Sequence, residues 1–193
     1  MAEPKVFTTA EWGARSVSSQ FPKKPAQGIV LHHAVFPNRA PQQGNAEREA
    51  AFGVARRIQA DHMGRGYADT GQQFTISRGG LLLEGRHGSL AAAKTGKVVR
   101  GAHAGVILQN QTWFGIELEG TYHLQFLMTS QQRLAMIELC AWLSFWGAFD
   151  SQQIEGHRHF KPTTQCPGLV MEHLPEFRAA VHDRKVEIQN GQP

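Results

Sequence analysis

The stretch GHRHFKPTTQCPG, residues 156–168, places His157, His159, Thr163, Thr164 and Cys166 within ten positions, stiffened by Pro162 and Pro167. Far upstream, the apolar run QGIVLHHAV (27–35) ends in the pair His32-His33. Imidazole and thiolate together form the N,N,S donor set of a three-ligand catalytic zinc with its fourth position open to water. Such donors suit zinc better than magnesium or calcium. The same residues admit a second chemistry, in which Cys166 is a nucleophile activated by His157 and placed at the start of a helix. No CxxC or HExxH spacing decides between the two. The other cysteine, Cys140, lies in RLAMIELCAWLSFWGAF, apolar on nearly every side, and reads as core packing. Two cysteines in such different settings make no disulfide framework.

The elements that must carry these groups follow from periodicity. The run 27–35 reads as a buried strand ending at the histidines. Asn45 is the expected cap of a helix through AEREAAFGVARRIQADHM, where Ala50, Val54 and Ile58 keep helical spacing. MGRGYADTG reads as a glycine-rich connection, and GQQFTISR and LLLEGR flank Gly79-Gly80 as a hairpin. In WFGIELEG (113–120), Phe114, Ile116 and Leu118 alternate with Gly115, Glu117 and Glu119, so one face is apolar and the other carries two carboxylates. Ser130 opens an apolar helix to about Phe149, and a last amphipathic helix begins near Leu169 and ends before a polar tail at 184–193. Strands interleaved with helices predict an α/β protein: one domain over 1–193, its core at about 10–183, with a central mixed β-sheet flanked by helices.

With 193 residues, 41% apolar and 19% charged, the composition is that of a globular protein with one hydrophobic core. No apolar run approaches the roughly 20 residues of a membrane span, so no membrane insertion is expected. The start, MAEPKVFTTAEWGARS, shows no signal peptide. A net charge of +4 favours encounter with polyanions, whether nucleic acid, anionic lipid or a phosphate-rich cell wall, although a solvated basic surface is the plainer reading. The basic residues are scattered and not interleaved with aromatics, which speaks against a nucleic-acid groove.

The ordered series EWGAR, IVLHHA, DTGQQFTISRGG, GAHA, FGIELEG and GHRHFKPTTQCPG resembles the zinc-dependent N-acetylmuramoyl-L-alanine amidases over roughly residues 10–180. That family includes phage lytic amidases, cytoplasmic anhydromuropeptide amidases and peptidoglycan recognition proteins. The resemblance implies a central mixed sheet with flanking helices and a substrate groove along one face. It also implies a zinc ion held by His32, His157 and Cys166. His33 then packs or orients the site, since adjacent strand residues point to opposite faces. His159 stands where the family usually has aspartate. Gln72 replaces a tyrosine that in many relatives assists the attacking water, and Tyr67 does not match that position. The anhydromuropeptide branch uses a glutamate in GIELEG, which makes Glu117 the candidate general base and Glu119 the fallback. Eight residues separate His157 from Cys166, where relatives commonly have seven. Thr164 takes the place of the oxyanion donor, with Lys161 as the alternative. His103 resembles a groove residue that contacts the peptide stem, and Asn110 and Thr112, like Gln72, are expected to line the same groove.

The implied activity is hydrolysis of the amide between the lactyl group of N-acetylmuramic acid and L-alanine, on peptidoglycan or muropeptides, by a monomer that acts on the cell wall or on recycled fragments. A non-catalytic peptidoglycan-recognition module is the main alternative, and a cysteine-nucleophile peptidase the third reading.

Overall fold

The computed structural model describes residues 3–191. Its centre is a six-stranded mixed sheet built from β1 (Val6–Phe7), β3 (Gly28–His33), β4 (Phe74–Ile76), β5 (Leu82–Glu84), β7 (Trp113–Leu118) and β8 (Ile154–Gly156), in the order β1-β5-β4-β7-β3-β8. Only the β4–β5 pair is antiparallel, joined by the hairpin turn at Gly79-Gly80, with Gly80 at φ +82° as a tight turn requires. A separate antiparallel pair, β2 (Lys23–Pro25) and β6 (Lys97–Val99), stands beside the sheet. The fold is the mixed α/β architecture that the alternation of strands and helices predicts.

The described residues include six α-helices: α1 (Gly44–Gly64), α2 (Ser89–Ala93), α3 (Ile107–Thr112), α4 (Ser130–Trp146), α5 (His157–Phe160) and α6 (Leu174–Gln189). The alternation in β7 places Phe114, Ile116 and Leu118 on the same face as Ile29 and Leu31 of β3. These join Met136, Cys140 and Leu143 of α4 and Phe177 and Val181 of α6 in the main core. Cys140 is fully buried there, as its apolar surroundings in the sequence predict. On the opposite face a smaller cluster forms from Phe7, Leu83, and Ala51, Phe52 and Ala55 of α1. Because α1 covers that face at its β1–β5 end, the part formed by β7 and β3 is left accessible.

Four boundaries differ from those read in the sequence. Helix α1 begins at Gly44 and its cap position is Gln43, not Asn45. The carboxylate of Glu47 reaches back to the Gln42 N–H at 2.9 Å and to Arg39, which fixes the entry two residues early. Helix α4 opens at Ser130 as read, capped by Thr129, whose hydroxyl accepts from Gln132 N, but stops at Trp146 instead of near Phe149. The last helix starts at Leu174, after a 3₁₀ turn over Gly168–His173, because Pro175 fits only a first helical turn. That helix then runs on to Gln189, so 184–189 is not a tail. Ile188 is buried and anchors its last turn in the main core. Among the described residues no helix is long and apolar enough to cross a membrane.

Candidate metal centre

Parallel pairing aligns His32 of β3 with Glu117 of β7, and Glu117 with Thr75 of β4. The three side chains form one row across the accessible face, because residues opposite each other in a sheet share a face. His33, one position on, points to the other face. Its Nδ1 accepts from Tyr122 N at 3.1 Å, and its own backbone N–H lies 3.4 Å from Cys166 Sγ. His33 therefore serves the site through its backbone.

The segment 156–168 returns to this row from the sheet edge. Strand β8 pairs with β3, and His157 follows as the first residue of α5. The loop closes where Arg158 N donates to Cys166 O at 2.8 Å. Gly168 allows the close pass beyond it: its φ is +70°, and a Cβ there would stand 2.2 Å from the Tyr122 carbonyl oxygen. As a result His32, His157 and Cys166 hold ligand atoms that all lie within 4.8 Å of one another. His32 Nδ1 is 3.7 Å from Cys166 Sγ. Tetrahedral zinc, with Zn–N near 2.0 Å and Zn–S near 2.3 Å, sets such a pair about 3.5 Å apart. His157 Nε2 is buried with no hydrogen-bond partner, which fits a nitrogen directed at a cation. The donors are poised for this role. Burial, then the neighbouring histidines, hold the His32 imidazole well below its usual range, and burial lowers His157 as well.

The Cys166 thiol is pushed up to about 12, by burial first, opposed by the His33 N–H. That argues against an activated nucleophile, which needs a depressed pKa. It suits a thiolate formed only when a cation arrives. His159 is exposed, 3.6 Å from Glu155, and is not among the clustered donors.

A cleft of about 200 Å³ opens over these groups, lined by His32, His157, Cys166, Glu117, Gln72, His103, His62, Arg65 and Tyr67 among others. Burial raises the Glu117 carboxyl to about 7, against the pull of Arg65 and of a hydrogen bond from Gln72. Gln72 is buried and also donates to Thr75 Oγ1 at 3.4 Å. The amide that stands in place of tyrosine is thus a partner of Glu117. Glu119 turns away from the cleft into an ion pair with Arg39 at 2.6 Å, and accepts from Arg78 N at 2.8 Å. Thr164 Oγ1 accepts from Cys166 N at 3.2 Å, and Lys161 is an exposed cation whose charge acts on His157.

Asn110 and Thr112 do not line the cleft. Asn110 Oδ1 accepts from the N–H groups of His103 and Ala104, and the Thr112 hydroxyl donates to Leu108 O within α3. His62 and Arg65, which no sequence motif singles out, do line it, and so does Tyr67, which the sequence sets aside as not matching the replaced tyrosine. They end α1 and open the connection after it. The one available signal was a histidine in the last turn of a helix followed by a cationic, aromatic loop.

The chain matches the N-acetylmuramoyl-L-alanine amidase family over residues 22–169 and belongs to it. The peptidoglycan-recognition protein SC2 of Drosophila simulans is 31% identical over 166 residues, which cover 84% of this chain and 80% of that protein. A point variant of Drosophila PGRP-LB, solved in complex with tracheal cytotoxin, superposes with a TM-score of 0.68 at 28% identity, covering 84% of this chain and 88% of that one. The N-acetylmuramoyl-L-alanine amidase LysC from Clostridium intestinale shares the fold at a TM-score of 0.66 and 24% identity, covering 92% and 97%.

Proposed function

We propose that this protein is a zinc-dependent amidase that cleaves the bond between the lactyl group of N-acetylmuramic acid and L-alanine in peptidoglycan or its fragments. The observation that carries this reading is the row His32–Glu117, which sets a carboxyl with a pKa raised to about 7 beside the cluster of three donors. Tracheal cytotoxin, a monomeric peptidoglycan, occupies relatives of this fold and supports the ligand class.

His32, His157 and Cys166 would hold the zinc, which supplies Lewis acidity that polarises the amide carbonyl and lowers the pKa of water toward ~7. Glu117, ionised, accepts a proton from the attacking water and passes it to the leaving amine. A carboxyl poised near neutrality suits both halves of that transfer. Gln72 keeps the Glu117 carboxylate in place through its amide. The Thr164 hydroxyl, whose oxygen already accepts from Cys166 N, retains its own hydrogen to donate. Lys161 adds positive charge on the same side, beside His157. Such donors to a developing oxyanion are worth roughly 3 kcal/mol each.

The recognition-only reading draws on Gln72, which has no phenol to offer the reaction. One experiment separates the two. Wild type and Glu117→Gln, at matched zinc content, are incubated with intact sacculi and with soluble muropeptides, and the products are identified by mass. Wild type is expected to release free stem peptides. Glu117→Gln is expected to bind the fragments as before but turn over about 10²-fold more slowly. Binding without turnover by wild type would make the protein a recognition module. Near wild-type rates in Glu117→Gln would remove this carboxylate from the mechanism.

A further inference from the structure

Each histidine of the donor cluster has a second ring nitrogen, and one short segment, Gly101 to Ala104, meets both rings. His32 Nε2 lies 3.1 Å from His103 Nδ1, and His103 Nε2 lies 3.3 Å from the Trp113 carbonyl. His157 bonds to the backbone of Ala104. A carbonyl only accepts, so His103 Nε2 carries hydrogen. A neutral His103 then has its lone pair on Nδ1, and His32 Nε2 must donate to it. This leaves the His32 lone pair on Nδ1, the nitrogen 3.7 Å from Cys166 Sγ. Metal binding and the Trp113 carbonyl are together consistent with one arrangement of hydrogens.

The ring that does this is held from several sides. A Cβ at Gly101 would stand 2.6 Å from His103 Cδ2, and one at Gly115 2.7 Å from His103 Cγ. Both glycines, conspicuous in GAHA and FGIELEG, are the space that the imidazole occupies. Asn110 Oδ1 accepts from His103 N and Ala104 N, each at 2.8 Å, and pins the segment from the far side.

We propose that His103 is a positioning residue of the metal centre, which sets the tautomer and orientation of His32, and that Asn110 holds the segment supporting both histidines. The inference rests on the reading of His32, His157 and Cys166 as metal ligands. Hydrogen-bond partners of metal-bound histidines typically contribute 10–100-fold in metal affinity.

The test measures zinc affinity by competition with a chromophoric chelator, and the tautomer of His32 from its ¹⁵N shifts in the metal-free protein. Wild type is expected to bind about one zinc and to show His32 protonated at Nε2. In His103→Leu, which keeps bulk but has no acceptor, zinc affinity is expected to fall about 10–100-fold, and the His32 tautomers to mix. Gly115→Ala, which displaces the ring without removing it, is expected to weaken zinc in the same direction, and serves if His103→Leu does not fold. Asn110→Ala is expected to show a smaller loss. Zinc affinity within about twofold of wild type in folded His103→Leu or Gly115→Ala would overturn the role of His103. So would a metal-free wild type with His32 protonated at Nδ1. A wild type that binds no zinc would instead overturn the metal centre itself.

Discussion

Without a cation, burial pushes the Cys166 thiol up to about 12, so a metal must displace a proton to gain its sulfur. His32 and His157 are both depressed below the ordinary histidine value of 6.5 and are already neutral above it. From pH 6.5 to 8, therefore, the thiol is the only one of the three donors that must give up a proton to zinc, while Glu117, raised to about 7, ionises in the same window. Apparent zinc affinity is expected to rise at least about tenfold per pH unit in that window, and the imidazoles, both held below their ordinary value, compete with the metal only in more acid solution. Chelator competition across pH checks the slope. Cys166→Ser should abolish the one-proton slope and most of the affinity. The types of these residues were legible in the sequence, and so was the pairing of a histidine motif with a distant cysteine motif. The protonation that the buried cleft imposes on them was not, because desolvation comes from the walls and not from the residues themselves.

At the scale of elements, β7 divides two roles between carboxylates two positions apart. Glu117 faces the cleft, while Glu119 shares Arg39 with Glu47 of α1 at 2.6 and 2.7 Å. Burial opposes the ionisation of Glu47, but bonds from Arg39, Gln42 N and Ser77 hold its carboxyl down to about 2. The network fastens α1 to the sheet beside the open cleft. Glu119→Ala leaves Arg39 half-paired and the Arg78 N–H without its acceptor. This is expected to cost about 3 kcal/mol. For a chain of this size the loss corresponds to a melting point lower by roughly 6–12 °C. Thermal unfolding followed by circular dichroism measures it, and turnover per folded molecule should stay within about twofold of wild type. The alternation Phe114, Ile116, Leu118 revealed this strand in the sequence, since period two is a local property. Alternation alone puts both glutamates on one face, and only the family resemblance favours Glu117 over Glu119 there. The arginine that claims one of them arrives from the loop after β3, 80 positions away.

Across the whole molecule, the donor cluster joins the end of a central strand to the loop before the last helix, so a metal would bind the native state and not the unfolded chain. At a free zinc concentration 100-fold above Kd, this linkage stabilises by about 2.7 kcal/mol. Stripping the metal with a chelator is expected to lower the melting point by roughly 5–10 °C, and re-adding zinc to restore it. An unchanged melting point would mean that the three residues hold no metal in solution. The sequence by itself determined the fold class and the types of the candidate donors, because periodicity, turn residues and side-chain type are written into short stretches. Only the tertiary structure decided which histidine of the pair faces the donor cluster, which glutamate is free and which nitrogen of His32 is left for a ligand. Those choices depend on partners 134 positions away for His32 and Cys166, and 71 for His32 and His103. A hydrogen bond has a direction that is set only once both ends are in place.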